Sequence, residues 1–184
     1  MLIGITGTDG AGKGAVVDYL VSAKGFVHYS ARAIWVEEIE RRGIENSRAS
    51  MRTVANELRG EHGNDYLIKY YLDKMADEKP ENAVIESLRA IAEVETLRAN
   101  DGILLAADAD QKLRYERITA RGSSSDNVSF EEFVRLEEIE MNDPDPNGMQ
   151  KAAVIEMAEH TIMNNSTLEE LHAKIEDVLT KITS

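Results

Sequence analysis

Gly7-Thr8-Asp9-Gly10-Ala11-Gly12-Lys13 is the stretch on which the reading of this chain turns. Directly before it, Leu2-Ile3-Gly4-Ile5-Thr6 is a short apolar run closed by glycine, the pattern of a buried strand. Directly after it, Val16, Val17, Leu20 and Val21 recur at helical spacing from Lys13 to about Val21. A glycine-rich turn between a strand and a helix is what phosphate binding requires. Glycines let the backbone curl until successive N–H groups converge on phosphate oxygens. The helix N-terminus adds its partial positive charge, and Lys13 is placed to reach the β- and γ-phosphates. Gly7, Thr8, Asp9, Gly10, Ala11, Gly12, Lys13, Gly14 and Ala15 are therefore the expected nucleotide-contacting residues. The usual pattern has Ser or Thr after the lysine, to bind Mg²⁺ through its hydroxyl; here that place is Gly14.

Working outward, Phe26 to Tyr29 reads as a second strand. Charged amphipathic helices follow at about 31–42, 48–61 and 65–78, punctuated by Gly43 and Gly63. Ala83-Val84-Ile85-Glu86 reads as a third strand and Ile103 to Ala107 as a fourth, with a helix over 92–99 between them. Helices are expected at 112–121 and 129–141, the second opened by a Ser129/Glu132 capping box, with a loop over 122–127 between them. Asp143 to Gly148 breaks the helical pattern with two prolines. A further helix, a last strand near 161–163 and a helix over 168–182 complete the chain. Apolar strands alternating with amphipathic helices imply an α/β fold of three layers, an approximately five-stranded parallel sheet with helices on both faces. At 184 residues this is read as one domain over 1–184.

Composition narrows the function classes. The chain carries 21 basic and 34 acidic side chains, a formal charge of −13. That balance opposes general binding to nucleic acid or to an anionic membrane, although a few cations concentrated in one cleft can still bind phosphate. No segment reaches the ~20 apolar residues that span a bilayer. The apolar start Met1 to Ile5 meets Gly7 and Asp9 too soon for a signal-peptide core. With no cysteine, disulfides and thiolate metal sites are excluded, in keeping with a cytoplasmic protein. His28, His62, His160 and His172 lack metal-ligand spacing, and Trp35, Tyr66, Tyr70 and Tyr71 read as packing residues.

Several stretches together resemble the adenylate-kinase-related, dephospho-CoA-kinase-like family of P-loop proteins. They are residues 3–13, Ala55 to Arg59, Val84 to Glu95, Lys112 to Arg121, Val128 to Phe133 and Asn164 to Leu171. Gly12-Lys13-Gly14 resembles adenylate kinases, and Asp9 to Lys13 resembles the thymidylate kinase loop. The resemblance implies a P-loop NTPase fold with a small lid, ATP and Mg²⁺ as cofactors and a nucleotide as acceptor. It places an acceptor-binding insert at about 30–79 and the lid at about 114–149. Related sequences carry Asp-Gly-x-Arg where this chain has Glu86-Ser87-Leu88-Arg89. Glu86 is thereby implied as the acid that holds Mg²⁺ or its waters, and Arg89 as a grip on the acceptor phosphate. Arg114, Arg117 and Arg121 share about one helix face. The resemblance implies that they close over the transferring phosphoryl group, Arg117 and Arg121 foremost, while Arg59 is implied on the acceptor side.

The chain departs from the family at Ala15, where threonine is usual, at Ser30-Ala31, where the family has Ser-Asp, and in the acidic helix after the lid loop. The expected activity is transfer of the ATP γ-phosphoryl group to a nucleoside monophosphate by a monomer or homodimer. Two alternatives stay open: a dephospho-CoA kinase-like enzyme, and a nucleotide-binding regulatory module without catalysis.

Overall fold

Residues Leu2–Gly7 form β1, at the centre of the sheet, and their burial on both sides dictates the architecture. Successive side chains of a strand face opposite ways. Ile3 and Ile5 enter one apolar layer, whereas Gly4 faces the other. A side chain at Gly4 would place its Cβ 2.6 Å from Leu97 Cδ2, so the glycine makes room for the leucine.

The computed structural model describes residues 1–122, 128–141, 143, 145 and 147–183. After β1 come α1 (Lys13–Lys24), β2 (Val27–Ser30), α2 (Ala31–Arg42), α3 (Arg48–His62) and α4 (Tyr66–Glu78). Then follow β3 (Ala83–Glu86), α5 (Ile91–Ala99), β4 (Gly102–Asp108), α6 (Gln111–Arg121) and α7 (Phe130–Met141). The described chain closes with α8 (Lys151–Glu156), β5 (His160–Met163) and α9 (Leu168–Thr183). The strands are all parallel in the order β2-β3-β1-β4-β5, with Leu2 opposite Ala83 on one side and Gly102 on the other. This is the expected five-stranded sheet covered on both faces.

One face packs Ile3, Ile5, Val84, Leu105 and Ile162 against α1 and α9 through Val16, Leu20, Leu171 and Ile175. The opposite face packs Ile85 and Leu104 against Val94 and Leu97 of α5 and Val154 of α8, and continues into Trp35, Leu58 and Ile68 of α2–α4. Each fully buried Leu or Ile contributes about 1.5–3 kcal/mol, so the two layers fix strand register firmly. No helix of the described residues is long and apolar enough to cross a membrane.

Element bounds agree with the sequence reading to within two residues except at the end of α1, which runs three residues past Val21 to Lys24; the capping box also differs. Ser129 Oγ accepts from the Glu132 N–H at 3.2 Å, but the Glu132 carboxylate pairs with Arg135 at 2.6 and 2.8 Å rather than turning back. A nearby guanidinium is a better partner for a carboxylate than one backbone amide. The expected loop over 122–127 falls outside the described residues from 123 to 127.

The helix α3 is tied to the segment after α7. Arg52 forms an ion pair with Asp143, and Asn56 Nδ2 donates to Asp145 Oδ2 at 2.8 Å.

Candidate functional site

The C-terminal ends of β1, β3, β4 and β5 converge on the loop between β1 and α1, where open α/β sheets bind ligands. β1 ends in Gly7 (φ 131°), beside Ala107 of β4. Gly12 (φ 93°) is the N-cap of α1, and a Cβ there would lie 2.3 Å from Asn164 Nδ2. The N-cap makes no side-chain hydrogen bond, and the first turn of α1 holds no acidic residue. Helix N-termini carry up to four amides without intrahelical partners, so this turn is suited to an anion.

Lys13 folds back over the loop and donates to Gly7 O at 3.1 Å and Thr8 O at 2.8 Å. Burial lowers its pKa to about 8, against the opposing attraction of Asp9. The loop is braced from behind. Thr8 Oγ1 donates to Asp108 Oδ1 at 2.5 Å, and Asn164 Nδ2 donates to Ala11 O at 2.8 Å. Arg114 is buried. It donates to Ala109 O at 2.9 Å and Asp9 O at 3.2 Å and forms an ion pair with Glu137 of α7. Arg117 Nη1 lies 3.5 Å from Gly10 O.

Asp9 sits among cations. Its carboxylate is 3.0 Å from Lys151 Nζ and 3.6 Å from both Lys13 Nζ and Arg89 Nη2. Burial pushes the carboxyl up, but Arg89, Lys151 and Lys13 outweigh it and hold it well below the usual carboxylate range. Lys151, the first residue of α8, is only 1% exposed and also donates to Glu140 Oε2 at 3.1 Å.

Glu86 ends β3, opposite Ser30 of β2. Ser30 Oγ donates to its carboxylate at 2.9 Å, and His28 Nε2 lies 3.4 Å away. The His28 hydrogen bond lowers the Glu86 pKa, with Ser30 adding to it against the effect of burial. Ser87 follows with φ 67°, a left-handed conformation that glycine adopts without strain. The glycine usual in related sequences thus has a conformational reason that Ser87 meets at some cost. Arg89 is held by its own backbone: Glu93 Oε2 accepts from the N–H groups of Arg89 at 2.6 Å and Ala90 at 3.0 Å.

The structure brings together Lys13, Asp9 and Arg89, sets Glu86 at the neighbouring strand end, and puts Arg117 against the loop. Arg121 lies in the last turn of α6. Arg59 is placed differently from an open acceptor contact. It is buried, with Nη2 3.5 Å from Glu93 Oε1 and its guanidinium carbon 5.7 Å from the centre of a Trp35 ring. Arg59 Nε is buried without a hydrogen-bond partner. His28, Asp108, Asn164 and Lys151 enter the site without having been singled out as its members. Asp108 and Asn164 could have been found from the rule that strand ends face the ligand, since they end β4 and follow β5. Among the described residues no group of three or more His, Cys, Asp or Glu could hold a metal ion. With Gly14 in place of the usual hydroxyl, the side-chain oxygens of the expected set are those of Thr8, Asp9 and Glu86. Thr8 is tied to Asp108 and Asp9 to three cations, which leaves the Glu86 carboxylate as the one better suited to a divalent cation.

Comparison with known proteins agrees with this fold. Residues 3–143 match a family model described as an AAA domain. The chain is 30% identical to the UPF0200 protein of Thermococcus gammatolerans, over 99% of this chain and 95% of that one. It is 31% identical to the UPF0200 protein of Pyrococcus horikoshii, over 100% and 98%. Among solved structures, TT1252 from Thermus thermophilus superposes with a TM-score of 0.65 at 20% identity, covering 100% of this chain and 98% of that one. Shikimate kinase from Aquifex aeolicus superposes with a TM-score of 0.56 at 18% identity, covering 98% and 97%. With a P-loop kinase-like fold and relatives along its whole length, the chain belongs to the UPF0200 family and carries an AAA domain over residues 3–143.

Proposed function

We propose that this protein transfers the γ-phosphoryl group of ATP to a nucleotide acceptor, in the first place a nucleoside monophosphate. One observation carries the reading. Lys13 of the donor loop and Arg89 at the end of β3 lie against the same carboxylate, each 3.6 Å from Asp9. Donor-side and acceptor-side cations therefore meet at one point, as in-line transfer between two phosphates demands.

ATP would supply the transferable group, and Glu86 would hold Mg²⁺ or its waters, a cation that would offset charge on the phosphate oxygens. The loop amides and the first turn of α1 orient the donor phosphates. Lys13 leaves the Gly7 and Thr8 carbonyls to meet them, and Arg89 holds the acceptor phosphate. Arg117 and Arg121, at the inner edge of the lid region 114–149, neutralise charge on the transferring group and exclude water. Arg59, bound to Glu93, supports the acceptor side by fixing the acid that holds the Arg89 backbone. His28 favours a second reading. Its contact with Glu86 supplies a proton acceptor that a hydroxyl acceptor such as dephospho-CoA would need and a phosphate acceptor would not.

The test is ADP formation from Mg·ATP with a panel of ribo- and deoxynucleoside monophosphates plus dephospho-CoA. Stimulation by a monophosphate supports the first reading, and stimulation by dephospho-CoA alone supports the second. ATP binding with no stimulation by any acceptor would overturn both in favour of a regulatory module.

The Lys13 pKa gives the site a pH signature. Phosphate favours charged Lys13, so binding must restore a proton wherever the free protein has lost it. Affinity for ATP is expected to be nearly flat up to pH 8 and then to fall by as much as tenfold per pH unit. For this group alone, folding stability moves the other way. Between about pH 8 and 10.5 the unfolded chain binds the proton and the ligand-free fold does not, so stability rises with pH. Calorimetric titration with ATP from pH 7 to 9.5 checks the first, and Lys13→Arg, which stays charged, should remove the break.

A further inference from the structure

Lys151 lies 142 residues from Asp9 in sequence, yet its ammonium group is 3.0 Å from the Asp9 carboxylate. The main chain holds it there. Gln150 N donates to Arg89 O at 2.7 Å, and Ile91 N donates to Gln150 Oε1 at 3.2 Å, so the start of α8 is laced to the loop that carries Arg89. A lysine with 1% exposure is costly to keep charged without close anions. Glu140 supplies one, at 3.1 Å, and Asp9 the other. The Asp9 carboxylate therefore serves three cations at once, one on the phosphate loop, one after β3 and one on α8.

A single carboxylate is a poor match for that set. It carries one negative charge and two oxygens. A terminal phosphate carries about two charges and three acceptor oxygens. The three cations converge from three elements on one point beside the amides of the loop and the first turn of α1. A phosphate group there satisfies more donors than Asp9 does.

We propose that Asp9 is an internal anion that holds Lys13, Arg89 and Lys151 in place until the terminal phosphate of a polyphosphate ligand displaces it, and that Lys151 is a phosphate-binding residue of the site. The inference rests on the reading above that the loop receives a nucleoside triphosphate, and it names a ligand and a counter-anion that the reading leaves out. A competing account makes the Asp9–Lys151 pair a fold-stabilising clamp and nothing more.

The two accounts differ in the sign of one effect. Removing the Asp9 charge leaves three cations facing one another, so the ligand-free protein loses stability under either. Under displacement, the ligand no longer competes with a resident anion, so Asp9→Asn melts earlier without ligand and binds polyphosphate roughly tenfold tighter. Under the clamp account the loop loosens and affinity falls with stability.

The experiment uses the full chain as wild type, Asp9→Asn and Lys151→Gln. It measures thermal midpoints and calorimetric affinities for ATP and for inorganic tripolyphosphate at one pH and one salt concentration. The expected results are tighter binding of both ligands by Asp9→Asn, and binding of both weakened about tenfold or more by Lys151→Gln. Affinity of Asp9→Asn equal to or below wild type overturns displacement, and unchanged affinity of Lys151→Gln overturns its role as a ligand. Should Asp9→Asn not fold, the ¹³Cγ resonance of Asp9 in the wild-type protein decides. A shift toward the value of a solvated carboxylate on saturation with tripolyphosphate supports displacement, and an unmoved resonance overturns it. Wild type that binds neither ligand overturns the kinase reading and this inference together, whereas wild type that binds while Asp9→Asn gains nothing overturns the inference alone.

Discussion

Lys13→Ala is expected to lower acceptor-dependent phosphoryl transfer by about 10²–10³-fold, the usual effect of losing one preorganised donor to developing charge. The fold should survive the change. In the ligand-free protein the ammonium group donates to two carbonyls, those of Gly7 and Thr8, while sitting in surroundings that disfavour its charge. The lost bonds and the relieved burial oppose each other, so stability should move by no more than about 1 kcal/mol. Steady-state kinetics with thermal denaturation on the same preparation check both halves. A loss confined to KM would mean that Lys13 binds the ground state and transition state equally, and would remove it from the chemical step.

The second large effect is structural. Gly7→Ala places a Cβ 1.9 Å from Ala107 O and 2.9 Å from Ala107 N, both backbone atoms of the neighbouring strand, at a φ of 131° that alanine rarely adopts. Neither neighbour is a flexible side chain, so β1 and β4 must part or the loop must be rebuilt. Strain and overpacking together should cost roughly 3–5 kcal/mol, a fall of about 10 °C or more in the melting midpoint for a chain of this size. Gly14→Ala is the matched control. Nothing lies within 4 Å of a Cβ there, and the residue is helical, so it should stabilise slightly, by about 0.5–1 kcal/mol. Denaturation curves of the two variants should move in opposite directions.

The part of the site that sequence made visible is the part built from neighbours. The apolar run of β1, the glycines and Lys13 lie within 12 residues of one another, and local geometry converts that spacing into a cradle. Glu86 and Arg89 were visible because the resemblance sets Glu86-Ser87-Leu88-Arg89, itself a short local stretch at a strand end, against the family's Asp-Gly-x-Arg. Arg59 shows where this fails. Its position in a helix was legible, but its direction depends on how α3 docks against α5 and the Glu93 carboxylate. Arg114 fails for a similar reason. Spacing put it on about the same face as Arg117, yet Glu137 and the Asp9 carbonyl draw its guanidinium into a buried brace. Lys151 carried no local signal. It opens a six-residue helix after a proline-containing segment, and only the packing of α8 turns it from a surface cation into a buried one.

The ties from Arg52 and Asn56 to Asp143 and Asp145 have a mechanical consequence. Two flaps hinged separately on the sheet would open and close in any order. Once α3 is stitched to the chain returning from α7, moving one edge pulls on the other. Under the proposed phosphotransfer reading, the drawstring so formed would join the acceptor insert to the lid region, and grasping an acceptor and covering the donor would become one stroke.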